Sequence, residues 1–145
     1  MRVLIDADGC PVTNLTVQLC RSTGTECLIF CDTSHRIERE GAQTIVLDKG
    51  ADSVDFAIAN RILPGDLVIT QDYGLAAMCL TRKARVLHQD GHEYTSDNID
   101  GLLAFRHAAA KARRAGGRLH GSPKRSAAQN VTFSQVLAGI LRENS

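Results

Sequence analysis

The feature that most constrains this chain is an alternation. Short runs of β-branched and aliphatic residues recur at 3–5, 26–31, 44–47, 67–70 and 85–88, and segments of helical spacing lie between most of them. A run of four to six such residues bounded by turn residues reads as a buried strand. Parallel neighbours need a crossover long enough to hold a helix. Strands alternating with helices therefore predict an α/β fold, with a mainly parallel sheet and helices on both faces.

The individual elements follow from local chemistry. Pro11 suits the first turn of a helix over 12–21, with Val12, Leu15, Leu19 and Cys20 inward. Residues 50–63 form a second helix whose inner face carries Val54, Ile58 and Ile62, and Pro64-Gly65-Asp66 stops it. A third helix covers 72–82 and a fourth 98–115, the latter with Ile99, Leu102 and Leu103 inward. A loop rich in Gly, Ser, Lys and Arg over 116–130 precedes a last helix, for which Thr132 and Gln135 suggest a capping box. Phe133, Val136, Leu137, Ile140 and Leu141 mark its apolar face. At 145 residues the chain fits a single domain over 1–145.

Charge is unevenly spread. Residues 1–100 carry 9 Lys/Arg against 15 Asp/Glu, whereas 101–145 carry 8 Lys/Arg and one acid. An acidic body with a basic C-terminal third implies an anionic partner. Aromatic residues are only 4% with no Trp, so a nucleic-acid partner would be held by charge and hydrogen bonds rather than by stacking. Arg113, Arg114, Arg118, Lys124 and Arg125 are the candidate backbone contacts. The bland alternative is a solvated basic helix and tail. The five cysteines make no C-x-x-C pair, no signal peptide precedes the first strand, and no apolar run approaches the roughly 18 residues of a membrane span. These features predict a cytoplasmic protein without a membrane partner.

The acidic residues fall where ligands bind in open parallel sheets, beyond the carboxyl ends of the strands. Asp6 and Asp8 follow the first strand, and two residues apart on an extended chain they face the same way. Asp72 lies just past the fourth strand, and Asp52 and Asp55 share a face near a helix N-terminus. Like charges gathered in a cleft repel, and a divalent cation removes that cost. Oxygen-only donors suit Mg²⁺ or Mn²⁺, which polarise phosphoryl oxygens and lower the pKa of water. Each residue also has a structural reading: Asp8 as a turn residue, Asp52 and Asp72 as helix caps, Asp55 as a complement to the helix dipole.

D-A-D-G-C-P-V at 6–12, G-A-D-S-V-D-F-A-I-A at 50–59, G-D-L-V-I-T-Q-D-Y-G-L-A-A at 65–77 and Y-T-x-x-N-I at 94–99 resemble, in order, the YaiI/YqxD family of uncharacterised bacterial proteins. Members of that family are similar to PIN-like nuclease domains. The resemblance implies a PIN-like three-layer α/β/α sandwich with a central mainly parallel sheet, and an acidic metal site at the strand ends. Its pattern falls on Asp6, Asp55 and Asp72, with Asp8 matching the family's own D-x-D. The chain departs from the family where Gly9 replaces the common Ala, where Gly74 replaces Pro, and where His88-Gln89-Asp90-Gly91 replaces a Pro-Arg-Gly segment. Its G-S-P-K-R at 121–125 is a looser version of the family's Gly-Pro segment.

Asp6, Asp8, Asp55 and Asp72 are thus the expected metal and catalytic residues of a metal-dependent nuclease, with RNA ahead of DNA as substrate. Ser34 follows the second strand and can hydrogen-bond a phosphate, and His35 beside it is an acid/base candidate. Arg106 falls on an inward helical stripe, which calls for an anionic partner, either phosphate or a structural carboxylate. Cys10 reads as a packing residue. Homo-oligomerisation is left open.

Two competitors stand beside this reading. I-D-A-D also fits a haloacid dehalogenase-type phosphatase with Asp6 as nucleophile, although Asp66 and Asp72 are too widely spaced for its later acidic pair. The other is a non-catalytic nucleic-acid-binding protein with an inert acidic cleft.

Overall fold

A computed structural model describes residues 1–48, 53–101, 111 and 125–144. Within them the chain runs β1 (Arg2–Asp6), α1 (Thr13–Thr23), β2 (Glu26–Asp32), β3 (Gln43–Leu47), α2 (Ser53–Arg61), β4 (Leu67–Ile69), α3 (Tyr73–Thr81), β5 (Arg85–Leu87), β6 (Glu93–Tyr94) and α4 (Ala127–Glu143). The six strands form one sheet in the order β3-β2-β1-β4-β5-β6. All neighbours are parallel except β5 and β6. The expected mainly parallel α/β architecture is therefore present.

Alternation along the strands sorts the core into two layers, because successive side chains leave opposite faces. Val3, Ile5, Ile29, Ile69 and Leu87 pack under Val17 and Cys20 of α1 and under Phe133, Leu137 and Ile140 of α4. Leu4, Leu28, Phe30, Val68 and Val86 pack against Ile58 of α2, Ile62 just after it, and Leu75 and Cys79 of α3. The result is a three-layer sandwich. Each fully buried aliphatic or Phe side chain contributes about 1.5–3 kcal/mol, so both faces must stay covered. Among the described residues no helix is long and apolar enough to cross a membrane.

Several boundaries differ from the sequence reading. Helix α1 turns Thr13, Thr16, Val17 and Cys20 fully inward, while Leu15 and Leu19 are only half-buried at its margin. Buried threonine is tolerated there because Thr16 Oγ1 donates to the Val12 carbonyl at 2.8 Å. The last helix begins earlier than expected. Ser126 is its N-cap, and the Gln129 side chain accepts the Ser126 N–H at 2.8 Å. Thr132 lies inside it and donates to the Ala128 carbonyl. The Ala127-Ala128-Gln129 run favours helix strongly enough to claim the end of the basic loop. Strand β6 was not foreseen; two residues carry too little periodicity to signal a strand.

This order fixes where a ligand can sit. From β1 the chain steps outward through β2 and β3, then returns to place β4 on the other side of β1. The carboxyl ends of β1 and β4 therefore flank the crevice at which the strand order reverses, where ligands of open α/β sheets bind.

Candidate functional site

Asp6 is the last residue of β1, and Thr70 follows the last residue of β4. Register aligns Ile5 with Ile69, so the two side chains stand side by side at the sheet edge. Thr70 Oγ1 donates to Asp6 Oδ2 at 2.8 Å and accepts the Asp72 N–H at 3.0 Å. Asp72 caps α3, with Oδ1 accepting from the N–H groups of Gly74 (2.8 Å) and Leu75 (3.2 Å). One hydroxyl thus links the first acid to the backbone of the second.

The electrostatics of Asp6 are unusual. Burial pushes its carboxyl up to about 6; the Thr70 hydrogen bond works against the rise, and the charges of Asp72 and Asp8 add to it. A half-buried carboxylate with two acidic neighbours is held in a field that favours a proton or another cation.

Asp8 takes a different place from the one its spacing suggested. Strand β1 ends at Asp6, and Asp8 sits exposed in a turn that Gly9 makes possible with a left-handed φ of 66°. The D-G turn therefore ends the extended geometry on which a shared direction with Asp6 rested. The turn still lies at the site, since a Cβ on Gly9 would stand 3.4 Å from Gln71 Nε2, next to Asp72.

Ser34 and His35 approach from the end of β2. Ser34 Oγ donates to Asp32 Oδ1 at 2.6 Å, and the same oxygen accepts the N–H groups of Ser34 and His35. The Ser34 hydroxyl, with these N–H groups and the nearby His35, holds the Asp32 carboxyl below the usual carboxylate range. His35 Nδ1 lies 3.9 Å from Asp8 Oδ1 and 4.0 Å from Asp32 Oδ1, so the loop after β2 meets the loop after β1. Asp55 is half-buried in the first turn of α2, which packs on α3 and on β1. Its charge and that of Asp6 both reach the Cys79 thiol, which burial pushes up to about 12. Burial also raises the Cys10 thiol, consistent with packing rather than nucleophilic chemistry. Arg106, Arg113, Arg114 and Arg118, with Asp52 and Lys124, lie outside the described residues.

Asp6, Asp8 and Asp72 are thus brought to one edge, and Asp55 lies in the first turn of α2, on the face of the sheet that α2 and α3 cover. Among the described residues, the three ligand atoms that lie within 4.8 Å of one another belong elsewhere, to His88, Asp90 and His92. Mg²⁺ commonly takes only one or two carboxylates and keeps several waters, so a looser acidic set matches its habit.

Thr70, Asp32, His88, Asp90 and His92 were not among the site residues expected from the sequence, whereas Arg125 was one of the expected backbone contacts. Thr70 is a threonine at a strand end, two residues before an acid, a signal present in I-T-Q-D. Asp32 is an acid at the end of an apolar run, as Asp6 is. His88 and His92 flank Asp90 in the β5–β6 turn, where His88 Nδ1 lies 2.8 Å and His92 Nδ1 2.6 Å from Asp90 Oδ1. Their rings stack at 4.5 Å, and Tyr73, next to Asp72, meets the His88 ring at 6.5 Å. Arg125 enters beside them, donating to the Gln89 carbonyl at 2.7 Å and to Asn130 Oδ1 at 2.9 Å. Asp66, by contrast, is buried at the amino end of the sheet in a 2.7 Å ion pair with Arg2, away from the crevice.

Comparison with known proteins places these features in a family. Residues 4–143 match the model described as "Uncharacterized BCR, YaiI/YqxD family". A UPF0178 protein of Exiguobacterium sibiricum is 49% identical over 145 residues, covering 100% of this chain and 99% of the relative. One from Natranaerobius thermophilus is 43% identical over 141 residues, covering 97% and 96%. No solved structure matches the chain significantly. From the Asp6 strand end to α4, the chain belongs to the YaiI/YqxD family.

Proposed function

We propose that this chain is a divalent-metal-dependent nuclease that hydrolyses phosphodiester bonds, in RNA ahead of DNA. The observation that carries the reading is Asp6: at the switch point of the sheet, tied through Thr70 to Asp72, it has a carboxyl raised to about 6 by burial and by the charges of Asp72 and Asp8. An acid kept in that environment costs stability, and a bound cation offsets the cost. The likeness of the family to PIN-like domains supports the same reading, as does the basic C-terminal third.

The donor set fits Mg²⁺ or Mn²⁺, being oxygen alone. Asp6 and Asp72 would hold the ion, with Asp8 and Asp55 adding negative charge around it. When bound, such an ion supplies positive charge at a phosphoryl oxygen and a lowered pKa for water. The protein's own groups would do the rest. Thr70 fixes the rotamer of Asp6, and its hydrogen bond favours the ionised carboxylate. The Asp72 cap bonds hold that side chain against α3. Ser34 and His35, on the loop that meets Asp8, would orient a phosphate, with Arg125 and the basic C-terminal third supplying positive charge.

An assay of purified protein on single-stranded RNA, with Mg²⁺ or Mn²⁺, tests the proposal. Asp72→Asn is the control, because Asn caps a helix as well as Asp does while lacking the charge. Cleavage by the wild type and at least a hundredfold loss in the variant are expected. Equal cleavage by both would point to contamination and overturn the proposal, and no cleavage by either would favour an inert nucleic-acid-binding cleft.

A further inference from the structure

The turn between β5 and β6 holds a cluster of different chemistry from the acidic crevice. His88, Asp90 and His92 alternate along five residues, and one ligand atom from each lies within 4.8 Å of the others. The turn is built to hold them. His88 N–H donates to the His92 carbonyl and Gly91 N–H to the His88 carbonyl, both at 2.9 Å. Gly91 has φ 100°, and a Cβ there would come within 2.9 Å of Thr132 Cγ2 and 3.2 Å of the Phe133 nitrogen, so α4 braces the turn from outside. Stacking at 14° between ring planes keeps the imidazoles parallel, and Tyr94 closes on both edge-on at 5.9 and 5.1 Å.

The contacts inside the cluster point to a cation. His88 Nδ1 accepts the Asp90 N–H at 3.1 Å, which requires a bare lone pair on that nitrogen. Asp90 Oδ1 also stands 2.8 Å from that nitrogen. His92 Nδ1 approaches the same oxygen at 2.6 Å, and the buried His92 Nε2 has no hydrogen-bond partner among the described residues. A divalent ion among the three atoms would draw on both imidazole lone pairs and the carboxylate at once. Tetrahedral coordination places ligand atoms about 3.3 Å apart, so the two contacts to Asp90 Oδ1 need to open by about 0.5 and 0.7 Å. The Arg125 guanidinium, anchored on the Gln89 carbonyl, works against any cation here. Binding must therefore come from strong imidazole donors rather than from net charge, which disfavours Mg²⁺ and suits Zn²⁺, Co²⁺ or Ni²⁺.

We infer that His88, Asp90 and His92 form a second metal site, specific for a borderline divalent ion such as Zn²⁺ and separate from the carboxylates at the ends of β1 and β4. Two nitrogens and one oxygen leave a fourth position for water or an anion, the arrangement of an open zinc site.

Metal-free protein titrated with Zn²⁺ and with Co²⁺, in excess Mg²⁺ to saturate the acidic crevice, tests this. One equivalent should bind, Co²⁺ should give the intense visible absorption of a four-coordinate ion, and the ring signals of His88 and His92 should be the ones broadened in the wild-type NMR spectrum. Affinity should fall more than tenfold in His92→Gln and stay unchanged in Asp72→Asn. Absence of Zn²⁺ and Co²⁺ binding by the wild type would overturn the inference, as would Co²⁺ that broadens neither histidine. Loss of binding in Asp72→Asn with retention in His92→Gln would place the ion in the acidic crevice instead. Nuclease activity is the readout of none of these outcomes, so failure of this site and failure of the nuclease proposal are distinguishable.

Discussion

The hydroxyl of Thr70 donates to Asp6 Oδ2 at 2.8 Å, across the boundary between the two halves of the sheet. The same oxygen accepts the Asp72 N–H, so its hydrogen-bonding capacity is used in both directions. Thr70 is itself buried, at 2% exposure, and a buried hydroxyl without partners would be costly. Its position is explained by the two aspartates it joins.

Replacing Thr70 by Val keeps the shape and removes that link. A hydrogen bond to the ionised form lowers a carboxyl's pKa, so its loss should raise Asp6 further above about 6. The entry to α3 also loses the acceptor of the Asp72 N–H. Destabilisation of about 1 kcal/mol is expected, together with a higher Asp6 midpoint in a carboxyl NMR titration. An unchanged midpoint would show that Thr70 does not support the charge.

Asp6 should cost stability at neutral pH. Its folded pKa of about 6 lies above the ordinary value of 3.8, so between these values the folded state holds more protons than the unfolded one. Stability then falls as pH rises through that window and levels off above it. Asp6→Asn should therefore be more stable than the wild type at pH 7.5, by about 1–3 kcal/mol in denaturant titrations without metal, and the gain should vanish below about pH 4. A destabilised variant at pH 7.5 would mean that the charge is already compensated within the fold.

Asp66 should behave in the opposite sense. Burial raises its carboxyl, but the Arg2 guanidinium and the N–H groups of Leu63 and Arg2 outweigh that and leave it below its usual value. Its contribution is present above the unfolded carboxylate pKa and is lost as pH falls through the lower folded value. Asp66→Asn should cost about 3 kcal/mol, the scale for breaking a buried pair. It should leave metal binding unchanged, because Asp66 sits at the amino end of β4. Impaired Mn²⁺ binding in a folded Asp66→Asn protein would move the site, and would revive the phosphatase reading in which Asp66 takes part.

Much of the fold could be read from the sequence because long-range burial leaves a local trace. Apolar runs such as E-C-L-I-F-C announce a strand, and Ile58 and Ile62 announce an inner helix face. The positions of Asp6 at a strand end and of Asp72 at the start of α3 were legible for the same reason, since each breaks or closely follows an apolar run. What escaped notice depends on contacts between distant segments or on local geometry without periodicity. Nothing near Thr70 shows that its partner is 64 residues earlier. The turn that carries Asp8 was not legible because β1 ends at Asp6, and the left-handed Gly9 that shapes the turn leaves no periodic trace. The His88–His92 turn was overlooked because a two-residue strand, Glu93–Tyr94, creates it.

The most direct test of the acidic site is anomalous diffraction from a crystal soaked in Mn²⁺, with the ligands of each ion identified. The expected result is an ion beyond the carboxyl ends of β1 and β4, bound by Asp6 and at least one of Asp72 and Asp8. A crystal that takes up Mn²⁺ only at other positions, or none at this edge with Asp6 ionised, would contradict a metal-dependent chemistry centred on Asp6.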